Sequence, residues 1–189
     1  SLANGGFRVP LRAISEVTDG HGQKLSRYGL RFEKVMEPYV ARLIRHSMER
    51  VVQKGTARSL SKNFPDAQPL AGKTGTSNDN RDSWFVGFGA NRLGVVWIGR
   101  DDNGVTRLTG SSGAVPVWTA MMKNTVLEPL GITSNKDLKF VSARVDAFSV
   151  VPSGCLGAEL VPVHRLSVVK HSRSCSGERA IGRNPVVRE

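Results

Sequence analysis

Cysteine, aromatic residues, acidic charge and long apolar runs are all scarce in this chain. Among 189 residues there are two cysteines, Cys155 and Cys175, and neither has a second cysteine at the short spacing of a zinc knuckle. No metal centre and no cofactor is therefore expected. In an oxidising compartment the pair would close a loop worth about 3 kcal/mol of chain entropy, and in a reducing one it would be two idle thiols. No apolar run reaches the roughly 18 residues of a membrane-spanning helix, and no signal-peptide pattern is present. The chain opens on Ser1 without a methionine. It is expected to be the C-terminal portion of a longer polypeptide, with any membrane anchor on the missing part.

Acidic residues number 16 against 27 Lys and Arg, a net charge of +11. Such an excess raises nucleic acid as a partner. The bases Arg8, Arg12, Lys24, Arg27, Arg42, Arg45, Lys54 and Arg58 alternate with apolar residues instead of forming a block. Aromatics are only 6%, and Trp84, Phe85, Phe88 and Trp97 lie in apolar strand-like runs, where core packing is expected over base stacking. Nucleic acid is not expected; a basic surface facing an anionic polymer or phospholipid fits as well. With 39% apolar residues the chain has the means for a core of ordinary size.

What is present is a well-punctuated series of elements. Asn4-Gly5-Gly6 and Pro10 mark a loop, and Ile14–Val17 and Gln23–Leu25 flank the turn cluster Asp19-Gly20-His21-Gly22, which predicts a β-hairpin with His21 as an exposed turn residue. Val40, Leu43, Ile44, Met48, Val51 and Val52 recur at helical spacing, predicting a helix from Glu37 to Lys54 with Pro38 in its first turn, Gly55 at its end and a charged outer face. A short helix over Ala57–Lys62 is stopped by Pro65. The runs Asp82–Ala90 and Leu93–Arg100 follow the Leu70–Thr76 strand, and short connections among the three imply an antiparallel sheet. A helix then starts near Pro116 and runs to about Asn124, with Val117, Ala120 and Met121 on one face. Glu128-Pro129-Leu130-Gly131 reads as a boundary. Beyond it, short apolar runs over Phe140–Val151 and Leu160–Val169 suggest a small β-rich appendage over residues 131–189, with a flexible end from Ser176. No internal repeats occur.

The chain is organised around Leu70-Ala71-Gly72-Lys73-Thr74-Gly75-Thr76. One cation, two hydroxyls and a glycine that admits a ligand backbone suit an extended peptide ending in a carboxylate. Lys-Thr-Gly is the third signature of penicillin-binding proteins and related β-lactamases. With Asn80–Gly87, Val96–Asp101, Ala3–Gly6 and Val51–Arg58, the sequence resembles the transpeptidase domain of the class A penicillin-binding proteins, especially the type 1b subgroup. The resemblance covers residues 1–130 well and the remainder loosely.

That resemblance implies an α/β (α+β) fold in which an antiparallel sheet packs between helices, present here as the C-terminal half of a penicillin-recognising domain. It implies serine acyl transfer at D-Ala-D-Ala stem peptides and acylation by β-lactams. The parent would also bear a glycosyltransferase domain upstream, use lipid-linked precursors, meet other cell-wall synthesis proteins and face the periplasm from the inner membrane. Lys73 would join the proton-handling hydrogen bonds, Thr74 and Thr76 would place hydroxyls on the substrate carboxylate, and Gly75 would leave room for the substrate strand. The Thr76 amide would serve as an oxyanion donor, and Ser77, Asn78 and Asn80 would contact substrate. The family also favours a Cys155–Cys175 bridge.

Two Ser-x-x-Lys matches, Ser59–Lys62 and Ser167–Lys170, and the Ser61-Lys62-Asn63 imitation of Ser-x-Asn stand in the wrong context. The nucleophile and the Ser-x-Asn motif are expected before Ser1, so the fragment alone is expected to be inactive and to fold poorly. Asp82 reads as a turn cap or ion-pair partner rather than a base, and Asp101–Gly104 as a hairpin turn rather than a metal pair. The alternatives are a serine β-lactamase of the same fold and a non-catalytic penicillin-sensing or wall-binding module.

Overall fold

The structure, a computed structural model, describes residues 1–131, 136–144, 149–169 and 175. Lys170 and the stretch from Ser176, expected as a flexible end, lie outside the described residues. The elements in chain order are β1 (Phe7–Arg8), β2 (Glu16–Thr18), β3 (Lys24–Arg27), β4 (Glu33–Lys34), α1 (Pro38–Gln53), α2 (Ser59–Asn63), β5 (Ala71–Thr76), β6 (Ser83–Phe88), β7 (Leu93–Ile98), α3 (Ala114–Met122), β8 (Leu138–Arg144), β9 (Ser149–Val150) and β10 (Glu159–His164). They form two compact units, Ser1–Thr133 and Ser134–Glu189.

In the first unit β5, β6 and β7 make an antiparallel sheet in that order, with Lys73 opposite Val86 and Trp84 opposite Trp97. One face packs on helices. Phe85 and Trp118 meet edge to face with ring centroids 5.5 Å apart, and Phe64 meets Trp118 edge to face as well, at 5.9 Å. Glycines on that face make the slot: a Cβ at Gly87 would lie 3.0 Å from the Trp118 ring, and one at Gly94 2.7 Å from its indole nitrogen. The Trp118 Nε1–H donates to Gly94 C=O at 3.1 Å, so the ring is buried without an orphaned donor. Val52, Leu60, Leu70, Val96 and Val115 complete this core.

Three expectations about faces are corrected. Trp84 and Trp97, assigned to the core, point to the other face of the sheet and are 43% and 49% exposed, because strand alternation puts them opposite Phe85 and Val96. In α3 the buried stripe is Ala114, Val115, Trp118, Thr119 and Met122, while Val117 and Met121 are exposed. In α1 the charged face is not an outer one: Glu49 is buried, with Arg42 Nη1 and Arg45 Nε at 2.9 and 3.2 Å from its Oε1. Burial alone would raise the Glu49 pKa, but His46, Arg42 and Arg45 outweigh it and hold the carboxyl below its ordinary range.

A fourth correction concerns Asp101–Gly104. The chain turns there, but among the described residues no strand returns against β7; instead Arg100 Nε and Nη2 grip the two Asp102 carboxylate oxygens at 2.9 and 2.7 Å, and Gly104 N–H donates to Asp102 Oδ1 at 3.0 Å. Arg100 chiefly, then Gly104, lowers the Asp102 pKa to about 2.

Residues 7–35 form two small antiparallel ladders, β1 with β4 and β2 with β3. In the second unit the strands run in the order β10-β8-β9, all antiparallel, over buried Leu138, Val141, Ala143 and Val151. Cys155 and Cys175 are joined by a disulfide with Cα atoms 5.4 Å apart. Among the described residues no helix is long and apolar enough to cross a membrane.

Candidate active site

The site is built on β5, an end strand of its sheet. Side chains alternate along it, so Lys73 and Gly75 share the face of Trp84 and Val86, while Thr74 and Thr76 share the face of Phe85 and Ser83. The amides alternate too. Ser77 N–H donates to Asp82 C=O at 3.1 Å, which makes that pair hydrogen-bonded. In an antiparallel ladder of unbroken register the next bonded pairs are then Gly75–Trp84 and Lys73–Val86. The amides of Thr74 and Thr76 therefore face away from β6, toward an edge that no strand occupies among the described residues.

Lys73 is exposed, and its ammonium donates to Thr74 C=O at 2.6 Å, along that edge. The Thr74 hydroxyl lies 2.6 Å from the hydroxyl of Thr56, which follows the Gly55 turn after α1. Thr76 Oγ1 accepts from Gly110 N–H at 3.1 Å. Each of the two threonine hydroxyls thus already has a protein partner, and Thr76 remains exposed. The Thr76 hydroxyl keeps its own hydrogen for a ligand, since its oxygen acts toward Gly110 only as an acceptor.

Ser77 turns back into the fold: its Oγ accepts from Asp82 N–H at 2.8 Å. Asp82 Oδ1 accepts in turn from the Trp97 indole N–H at 2.9 Å, and the bonds from Trp97 and then Ser77 hold the carboxyl below its usual range. Asp82 is therefore bound into a structural junction at the end of β5, as a turn residue should be. Asn80 C=O takes the Thr106 N–H and hydroxyl at 3.0 and 2.6 Å, and Asn78 lies exposed beside it. Ser61 donates to Val52 C=O at 3.0 Å and Asn63 to Ser59 C=O at 2.8 Å, so the Ser61-Lys62-Asn63 imitation folds onto local backbone rather than into a cleft.

Thr56, Ser83 and Gly110 stand closest to the predicted residues and were not among them. Ser83 is fully buried, donating to Thr109 C=O at 2.8 Å and accepting from Ala114 N–H at 2.9 Å. Nothing local to a serine or a glycine announces such a role; the partners are distant in sequence.

The open edge strand of an antiparallel sheet backed by helices thus carries Lys-Thr-Gly-Thr, a signature shared by penicillin-binding proteins and related β-lactamases. Residues 1–122 match the family model described as the penicillin-binding protein transpeptidase domain, and the chain belongs to that family. It is 40% identical over 141 residues to penicillin-binding protein 1B of Haemophilus influenzae, covering 75% of this chain and 18% of that protein. It is 43% identical over 130 residues to penicillin-binding protein 1B of Vibrio cholerae, covering 69% of this chain and 17% of that protein. The chain therefore spans less than a fifth of these relatives' length. The crystal structure of penicillin-binding protein 1A from Haemophilus influenzae superposes with a TM-score of 0.74 over 92% of this chain and 31% of that one; at 16% identity it speaks for the fold alone.

Proposed function

We propose that residues 1–130 form one wall of the acyl-transfer cleft of a peptidoglycan D,D-transpeptidase, and that residues 131–189 are an appendage to it. The observation that carries this reading is the open β5 edge, with the Thr74 and Thr76 amides outward and Lys73 beside them. An extended stem peptide would lie along that edge as an added strand. A serine supplied from outside these residues attacks the penultimate D-alanine carbonyl. The Thr76 N–H stabilises the oxyanion, the C–N bond breaks, and the terminal D-alanine leaves with a proton. The acyl group then passes from the serine to an amine of a neighbouring stem peptide, and that amine's proton returns through the hydrogen bonds Lys73 joins. β-Lactams enter the same cleft and acylate the same serine. Gly75 leaves little room for a side chain: a Cβ would sit 3.1 Å from Trp84 Cβ. In the longer parent polypeptide this wall would work at the periplasmic face of the inner membrane, beside a glycosyltransferase domain fed by lipid-linked precursors and among other cell-wall synthesis proteins.

Proline substitution tests the register directly. Thr76→Pro removes an amide that no ladder bond uses, so the full-length protein should fold while its acylation by a penicillin slows about 100- to 1,000-fold, the usual cost of an oxyanion donor. Thr76→Val, which keeps the amide, separates the hydroxyl's share. Equal acylation rates in Thr76→Pro and Thr76→Val would count against the amide's role.

A further inference from the structure

The loop before α3 makes an approach to β5 that nothing in the acyl-transfer scheme requires. Gly110 is buried against the strand, and a Cβ there would stand 2.6 Å from Trp84 C=O, 2.8 Å from Gly75 C=O and 2.8 Å from Thr74 Cβ. Two of those three atoms are backbone, so no side chain can move aside for it. The loop is held on both sides of Gly110 by the buried Ser83 hydroxyl, which donates to Thr109 C=O and accepts from Ala114 N–H. It is held again at its start, where Thr106 binds Asn80 C=O just beyond β5. The outcome of this clamping is one hydrogen bond into the site, from Gly110 N–H to Thr76 Oγ1 at 3.1 Å.

We propose that Gly110 is a positioning residue that fixes the Thr76 hydroxyl as an outward hydrogen-bond donor and so biases the cleft toward ligands bearing an ionised carboxylate. The inference rests on the transpeptidase reading above. A threonine hydroxyl has one hydrogen and two lone pairs. With a lone pair occupied by a fixed amide, the ligand meets the hydrogen, and an oxygen that is already accepting donates more strongly. An anionic oxygen gains most from such a donor, because charge-assisted bonds are about twice as strong as neutral ones. The C-terminal carboxylate of a stem peptide and the carboxylate of a penicillin supply that oxygen; a neutral ester does not.

The test compares second-order acylation rates of the full-length protein by benzylpenicillin and by its methyl ester. Gly110→Ala is expected to lower the acid-to-ester ratio about tenfold, as the loss of one charge-assisted bond would. Thr76→Val is expected to lower it as much, and the double variant no further. Thr76→Ser, which keeps a hydroxyl for Gly110 to hold, should preserve the acid-to-ester ratio even where both absolute rates fall. If Gly110→Ala fails to fold, Ser83→Ala, which frees the loop on either side of Gly110, is judged by the same ratio. Acid and ester rates falling by equal factors would overturn the proposal, as would a ratio that drops again when Gly110→Ala is added to Thr76→Val. A wild-type protein acylated by neither compound would take down the transpeptidase reading itself, which keeps the two failures distinct.

Discussion

Residues 71–122 and residues 7–35 are both rich in strand, and they are built in opposite ways. In the first stretch long strands with continuous register bury Phe85, Phe88, Val96 and Trp118. In the second, β1 to β4 are two to four residues long, and Leu11, Ile14, Leu25, Tyr28, Leu30 and Phe32 are all exposed. Its side-chain contacts are of the weak sort, among them Arg8–Glu33 and Lys24–Glu16 ion pairs between exposed side chains and Arg12 over the Tyr28 ring at 5.7 Å. Similar β-propensity therefore yields a rigid wall in one place and lightly held ribbons in another. The difference is whether helices cover a face, which strand propensity does not encode.

The comparison breaks most sharply at Trp118. Trp118→Ala should cost the sheet about 3 to 5 kcal/mol, since the ring fills the slot over Gly87 and Gly94 and its loss leaves a cavity. Hydrogen exchange of the amides in residues 83–98 of the full-length protein would register it. If those amides kept wild-type protection, the claim that this face is the load of the fold would be lost.

A somewhat smaller effect is expected at Glu49. Glu49→Ala removes the carboxylate that both Arg42 and Arg45 face, with side chains only 10% and 12% exposed, and should cost about 3 kcal/mol although Arg45 keeps its bond to Gly131 C=O. The sign with pH follows from the depressed Glu49 carboxyl. Its contribution is fully present above the ordinary carboxylate range and is lost as pH falls through its lowered folded-state value. Wild type should accordingly lose stability in acid more steeply than Glu49→Gln, as read from denaturant midpoints across a pH series. Parallel curves for the two proteins would show that the ion pairs carry no weight.

The smallest effect belongs to the ribbons. Phe32 is 68% exposed, and Phe32→Ser should change stability by less than about 0.5 kcal/mol in the same assay. A loss as large as that of Trp118→Ala would erase the contrast between the two stretches.

What the sequence revealed and what it hid divides along the same physical line. The hairpin over residues 16–27, helix α1 and the run of strands β5 to β7 were legible because turn residues, proline and apolar period are local signals. Lys73-Thr74-Gly75-Thr76 was legible as a motif, and its family followed from it. Hidden were the exposed faces of Trp84 and Trp97, the buried stripe of α3 and the burial of Glu49. Each depends on which distant element covers a surface. Hidden too was the Gly110–Thr76 bond, whose partners meet only after β6, β7 and the loop have formed.

The central claim is that Lys73-Thr74-Gly75-Thr76 lines a cleft whose nucleophile lies outside these residues. Mass-spectrometric mapping of the penicillin adduct on the full-length protein tests it most directly, with Lys73→Ala run beside wild type. The account predicts a single acylated serine upstream of Ser1 and a much slower adduct in Lys73→Ala. An adduct on Ser59 or Ser167, or one that forms equally fast without Lys73, would contradict it.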